Sequence, residues 1–393
     1  ADVAYDLSLI EATPGIQLNM PSPTVKLAAG ERKTIDVRLT IDGTQVTEAT
    51  AEISALLVAK PQGTAANSAV ESVRVPVLAV ANRVARIDAE GLMVRSTSVA
   101  DSQGAVVDLT LENKSSVAGQ ALIFNKIATD ARKEDPNLDP FRSRICDLSE
   151  AGYRVIEKGG IPTLQIAAKL YEPMTTWDLC EVSVLIDKDG DREADQELGG
   201  LRMKYVEGLA GEDYASVLVD MKSAREIRKA YEAAVLAPTP TPAPSPAPSP
   251  APVIAAPKLD FTPAIVALEP MQAFEHSTIA ILETPLSALN LTSAGTLAVR
   301  IATSAQTGSA IEPDDFLSND PKKWRQLNLR PSGASYVELP SSVTLAGGET
   351  KTVSFTKGAG TEALLVLYPN GRPLWNSVGS DSQSQTLRPK FAP

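Results

Sequence analysis

Four aspartates fall within nine residues of the stretch LIDKDGDREADQELGG, at Asp187, Asp189, Asp191 and Asp195. Carboxylates this close repel one another unless a cation or open solvent screens them. They occupy the first, third, fifth and ninth positions of a calcium-loop register, and the Glu193 carbonyl falls at the seventh. Calcium is a hard cation taking about 6–8 oxygens, and carboxylates at alternate positions can point to one centre. Two positions depart from an EF-hand: Arg192 stands where glycine is expected, and Leu198 where a bidentate glutamate is expected. The flank EVSVLI reads as a strand rather than a helix. The expectation is a strand-borne, structural calcium site at Asp187, Asp189, Asp191, Glu193 and Asp195, completed by Glu197, water or a distant loop. The alternative is a solvated acidic turn without metal.

Other reactive side chains are few. His276, in AFEHSTIAIL, is the single histidine. A Ser-His-Asp arrangement would have to use it, yet no GxSxG or GTSMA segment is present. There is no P-loop, dinucleotide fingerprint or HExxH. No catalytic residue is therefore assigned. Cys146 and Cys180 have neither metal-ligand nor CxxC spacing. They read as a disulfide, because the rest of the chain looks exported; the alternative is two buried thiols. Trp177, Trp324 and Trp375 lie in polar or turn-rich stretches. They are candidate ligand contacts, since exposed indoles stack on sugars or anchor partners, with core or edge packing as the alternative.

These side chains must be held by a scaffold, and 393 residues suffice for two or three domains. A net charge of -11 argues against nucleic acid and anionic membrane surfaces. No apolar run approaches a membrane span, so none is expected. The start at Ala1, without methionine or signal peptide, suggests a processed product or a fragment. APTPTPAPSPAPSPAP (237–252) reads as an extended polyproline II spacer.

An internal repeat sets the fold class. PTVKLAAGERKTIDV (23–37) matches SSVTLAGGETKTVSF (341–355). Each copy reads as two alternating strands joined by a turn at Gly30 or Gly348, with Val25, Leu27, Ile35 and Val37 facing inward in the first. Two copies so far apart imply a β-sandwich at each end of the chain. The prediction is an all-β protein of tandem immunoglobulin/fibronectin type III-like sandwiches. A domain over 1–84 closes with SVRVPVLAV as a core strand. A larger β-domain over 85–236 carries the disulfide and acidic loop, a linker spans 237–256, and a C-terminal sandwich occupies 257–393. Within the second domain, GAVVDLTLENKS, GQALIFNKI, PTLQIAAKLYEP, CEVSVLIDKDGD and YASVLVDM read as strands. KEDPNLDPFRSRICDLSEAGY (133–153) reads as polar and irregular. SAREIRKAYEAAVLA (223–237) reads as the one helix, capped by Ser223 with Glu226 closing a capping box.

Several segments together resemble the C-terminal, non-catalytic regions of secreted subtilisin-like serine proteases. PGIQLNMPSPTVKLAAGERKTIDVRLTID (14–42) resembles the first strands of the fibronectin type III-like domain there. VRVPVLAVANRV (73–84) is similar to its closing strand, and ALLVLYPNG to the last strands of such chains. That family's following β-domain often ends a strand in D-x-D-x-D-G-x-x-D; in DKDGDREAD, Gly190 comes two residues early. The family's catalytic segments are absent. The resemblance implies a secreted or cell-surface accessory region, with a protease catalytic domain as partner, in cis or as a separate chain, and a surface polymer or protein substrate as a further one. A stand-alone extracellular adhesin or carbohydrate-binding protein is the other reading.

Overall fold

The computed structural model describes residues 3–10, 12–19, 22–42, 45, 50–62, 71–96, 102–133, 146–205, 211–236, 259–274, 276–291, 295–305, 315–317, 320, 322–330, 333–372 and 382–391. It is built of strands, with a single α-helix among the described residues. Contacts divide it into two units, Ala1–Val84 and Ala85–Pro393. The spacer at 237–256 lies outside the described residues.

The first unit holds β1 (Val3–Ile10), β2 (Ile16–Asn19), β3 (Thr24–Leu27), β4 (Arg38–Ile41), β5 (Thr50–Pro61) and β6 (Val73–Asn82). One sheet runs β3-β1-β5-β6, and β2 pairs with β4. Val25, Ile53, Ala55 and Val58 are its buried apolar residues. The stretch SVRVPVLAV, read above as a core strand, is corrected. Among the described residues β6 pairs with β5 alone, and Val73, Val75, Leu78 and Val80 are exposed, Leu78 at 69%. Apolar composition made it look buried, but an edge strand has a neighbour on one side only.

The second unit continues with β7 (Ile87–Val94), β8 (Val106–Asn113), β9 (Gly119–Thr129), β10 (Leu148–Lys158), β11 (Ile161–Met174), β12 (Cys180–Asp187), β13 (Gln196–Arg202) and β14 (Tyr214–Asp220). Helix α1 (Met221–Leu236) follows. Then come β15 (Ile265–Pro270), β16 (Gln272–Ala273), β17 (Ser277–Pro285), β18 (Thr296–Ala305), β19 (Asp315–Phe316) and β20 (Arg325–Asn328). The last strands are β21 (Tyr336–Val337), β22 (Val343–Leu345), β23 (Thr350–Lys357), β24 (Leu364–Leu367), β25 (Ser384–Leu387) and β26 (Lys390–Phe391).

A central sheet runs β16-β17-β11-β10-β9-β24-β25, with β22 also on β9. One half of it faces the sheet β15-β14-β13-β12-β18-β19, to which β20 adds through β18. Leu164, Ile166 and Leu282 from the central sheet meet Val182, Val184 and Val299 across that core. The other half faces the sheet β21-β23-β8-β7-β26, where Ile123 and Val366 meet Leu92, Leu109 and Phe355. Asn125 on β9 stands opposite Tyr153 on β10, which puts both cores on one face of the central sheet.

The expected independent sandwich over 257–393 is not formed. β17 pairs with β11 and β18 with β12, while β23 pairs with β8 and both β22 and β24 with β9. One sandwich is therefore discontinuous, made of β7–β9 and β21–β26, and the other, β10–β20, is inserted within it. Alternation assigns a strand its buried face but leaves its partner open.

The repeat is also not a hairpin. β22 and β23 join different sheets, so the turn between them arches across the sandwich. The motif has a local cause common to both copies. The Glu31 carboxylate accepts the Ala28 N–H at 2.7 Å, and the Glu31 N–H donates to Ala28 O at 3.0 Å. Glu349 and Ala346 repeat this at 2.6 and 3.1 Å. The intervening Gly30 and Gly348 take φ of 80° and 74°, open to glycine at little cost. The shared motif thus encodes a turn and not a strand pairing.

The segment ending in CDLSEAGY is corrected as well: from Leu148 it is β10, in the middle of the central sheet. Its polar residues hid it. Glu150 pairs with Lys126 at 2.6 Å, and Arg154 donates to Gln165 at 2.8 Å, so polar side chains sit inside the layer with partners on adjacent strands. Helix α1 starts two residues earlier than read. Asp220, not Ser223, is its cap, accepting the Ser223 N–H at 2.7 Å.

Candidate metal centre

Residues 187–195 form the connection between antiparallel β12 and β13, whose last pair is Ile186↔Gln196. Val182, Val184 and Ile186 anchor β12 in the core, so Asp187 arrives already buried, 3% exposed. Its carboxylate then organises the turn, accepting the Gly190 N–H at 2.6 Å and the Arg192 N–H at 3.0 Å. Asp189 accepts from Asp191 N at 3.2 Å, Asp191 from Glu193 N at 2.7 Å, and Asp195 from Lys188 N at 2.7 Å. Arg192 adopts φ 70°. The sixth position thus has the left-handed backbone that glycine normally supplies there, even though the residue is arginine.

The end of the loop is tied down. Asp195 N donates to Ile186 O at 2.8 Å, and Asp195 O accepts from Met221 N, at the start of α1, at 2.9 Å. Asp220 lies directly across from Gln196. The Ser223 backbone N–H, with Lys188 and Lys222 nearby, holds the Asp220 carboxyl below its ordinary range.

Within this frame, one carboxylate oxygen from each of Asp187, Asp189 and Asp195 comes within 4.8 Å of the others. The trio is a group able to hold a metal ion. All three donors are hard oxygens, the type that suits calcium or magnesium rather than zinc or copper. Each carboxylate retains lone pairs beyond its loop hydrogen bonds. Asp191, expected as a carboxylate ligand, is exposed and does not join the trio, its carboxylate accepting the Glu193 N–H; Glu193, expected through its backbone carbonyl, is exposed. Lone acidic character was legible in the sequence. Which three acids converge depends on the Asp187 and Asp195 turn bonds, which it does not show.

Cys146 and Cys180 are joined in a disulfide, both sulfurs buried, with Cα atoms 5.5 Å apart. Cys146 leads into β10 and Cys180 opens β12, so the bond links facing sheets of the inserted sandwich. Trp177 is not a ligand contact: it is 3% exposed, packed in the core, and its Nε1–H donates to Phe274 O at 3.1 Å. Trp324 is half-buried under the Arg300 guanidinium, 4.9 Å from the ring centre. Trp375 lies outside the described residues. His276 is half-buried, with φ 56° and its backbone N–H on Met174 O at 2.8 Å. No described helix is long and apolar enough to cross a membrane.

Sequence reasoning passed over a set of buried acids beside the disulfide. Asp130, Asp147 and Asp315 are each at most 5% exposed. Burial, reinforced by Asp315 and Asp130, pushes the Asp147 carboxyl up to about 7, against the Lys133 N–H and Arg132. Its position between the disulfide cysteine and a buried strand was the available signal. No protein-family model matches this chain, and a search of curated proteins finds none that matches it.

Proposed function

We propose that this chain is a non-catalytic accessory region of an exported subtilisin-like serine protease, working outside the cytoplasm, in which Asp187, Asp189 and Asp195 hold a structural calcium ion. The observation that carries the calcium reading is the convergence of three carboxylates on a loop whose sixth residue, Arg192, is left-handed. When bound, the ion neutralises the repulsion among the loop acids and fixes the start of α1 against β13. The buried disulfide fits an oxidising compartment. The protease association rests on the resemblance of residues 14–42 and 73–84 to that family's accessory domain.

Two measurements test this. At about 5 mM calcium and a Kd of about 0.1–1 mM, typical of extracellular sites, mass action stabilises the fold by about 1–2 kcal/mol. The melt should rise with calcium, fall with chelator, and lose both responses in Asp189→Ala. A wild-type melt indifferent to both additives leaves a solvated turn. For the partner, intact mass and N-terminal sequencing of the native species should show a subtilisin-type catalytic domain ahead of Ala1 or in a co-purifying chain. A lone chain that binds sugar or matrix would replace this reading with the adhesin one.

A further inference from the structure

The discontinuous sandwich, β7–β9 with β21–β26, has a cavity at one end of its core. Strand register shows which side chains face it. Tyr336 on β21 stands opposite Lys357 on β23, and Phe355, two residues before Lys357, stands opposite Val107 on β8. Val107 is opposite Val94 on β7, which pairs with Phe391 on β26. Alternation therefore turns Tyr336, Lys357 and Phe391 to the face that carries Phe355, Val107 and Val94, the inner face of that sheet. Glu362, just before β24 of the facing sheet, accepts the Ser335 hydroxyl. Tyr336, Lys357, Phe391 and Glu362 line a cavity of about 340 Å³, at the small end of the range for ligand sites. Its exposed lining residues, Gln103, Thr361 and Arg388, connect it to solvent.

Two buried groups in this wall have hydrogen-bonding capacity that the described residues leave unused. The Tyr336 hydroxyl has no hydrogen-bond partner, on a residue 1% exposed. A buried hydroxyl left so is destabilising, and natural structures rarely keep one without a use. Lys357 is 5% exposed, and its Nζ lies 5.3 Å from the centre of the Tyr336 ring. It gives two of its three N–H groups to backbone carbonyls, Gly358 O at 2.8 Å and Gly360 O at 2.5 Å. The third has no acceptor among the described residues. Glu362 supplies the complementary capacity: Ser335 occupies its Oε2, and lone pairs remain on Oε1.

Charge narrows the ligand. Burial lowers the Lys357 pKa while Glu362 opposes that fall, and Glu362 also acts on the Tyr336 hydroxyl, so the three groups share one electrostatic environment. One ammonium and one carboxylate balance inside the cavity, and Arg388 stands in solvent at its edge. An anion entering would meet Glu362 and a cation would meet Lys357. A neutral molecule that both donates and accepts hydrogen bonds meets neither penalty, and the half-buried Phe391 ring suits an apolar C–H face. We propose that this cavity binds a neutral monosaccharide unit. Its hydroxyls accept from Lys357 Nζ, pair with the Tyr336 hydroxyl and donate to Glu362, while its C–H face lies against Phe391. This inference is independent of the protease reading, which depends on the mass of the native species and not on sugar binding by the chain.

The test is titration calorimetry of the full chain with D-glucose, D-galactose, D-mannose and N-acetyl-D-glucosamine, with D-glucuronate and D-glucosamine as charged counterparts of glucose. At least one neutral sugar should bind, and neither charged sugar should bind more tightly than glucose. The methyl glycoside of the sugar that binds separates the sources: retained binding assigns the end of a glycan, and lost binding a free sugar held by its anomeric hydroxyl. Tyr336→Phe removes only an unpartnered hydroxyl, so it should melt no lower than wild type yet bind that sugar roughly three- to tenfold more weakly. Absence of binding by every neutral sugar overturns the proposal. So does a charged sugar binding more tightly than glucose, or an unchanged affinity in a folded Tyr336→Phe.

Discussion

The disulfide gives the sharpest quantitative test of how the inserted sandwich is held. Cys146 and Cys180 are 34 residues apart, and the bond joins the entry to β10 with the first residue of β12, on facing sheets. Without it, the unfolded chain regains the entropy of opening that loop. For this length the chain-entropy relation gives about 12–13 cal/mol/K, or about 4 kcal/mol at 25 °C. The second unit spans Ala85–Pro393, and about 2.1 cal/mol/K per residue makes its unfolding entropy about 0.65 kcal/mol/K. The melting temperature should therefore fall by about 6 °C on losing the cross-link. Both sulfurs are buried, so the native protein must be unfolded with reductant and refolded reduced, its melt then followed by calorimetry. Reduced wild type isolates the cross-link because it keeps both sulfurs. Cys146→Ala/Cys180→Ala should melt lower still, since it also empties buried volume. A fully reduced wild type melting within about 1 °C of the oxidised protein would refute the reasoning, showing that the loop is equally constrained without the bond.

Two further outcomes follow from local chemistry. Burial raises the Asp147 carboxyl to about 7, above its unfolded value, so the folded state takes up a proton between about pH 4 and 7. Stability from this group is present at low pH and lost as pH rises through 7; discounting for partial screening, the span is about 2 kcal/mol. Asp147→Asn should flatten the stability profile across that window and stabilise the protein at pH 8, as denaturant titrations at several pH values will show; an unchanged slope rejects the assignment. At the acidic loop, Arg192→Gly relieves about 1–2 kcal/mol of left-handed strain and gives back about 0.5–1 kcal/mol of unfolded-state entropy. A small net gain in melting temperature is expected, and a clear loss would mean that the arginine side chain holds the turn.

Most strands were legible because alternation is a local property. Val107, Leu109 and Leu111 announce β8, and the Val182-Val184-Ile186 series announces β12. Partnership was not legible. The hydroxyls of Thr110 and Thr352 meet at 3.1 Å across 242 residues, and nothing in either segment names the other. The Leu-Ala-x-Gly-Glu repeat misled because its regularity belongs to a turn. β10 was missed because Glu150 and Arg154 look like surface residues until lateral partners on β9 and β11 are seen. At the candidate site, acidity and spacing were plain, while the membership of the trio awaited the turn bonds of Asp187. The tryptophans show the opposite error: polar neighbours suggested exposure, yet Trp177 turns its indole into the core.

The interleaving of the two sandwiches bears on synthesis. β7, β8 and β9 emerge from the ribosome long before β23, β24 and β26, their partners. At a few residues per second, those early strands wait on the order of tens of seconds with open edges while the inserted sandwich is made. The inserted sandwich holds its own sequential pairs, such as β10 with β11 and β13 with β14, and can assemble during the wait. The outer sandwich closes only on arrival of the final strands. A chain interrupted anywhere before Leu364 would keep the β24 edge of β9 unpaired, a ready target for proteolysis or aggregation, so the topology itself distinguishes finished copies from unfinished ones.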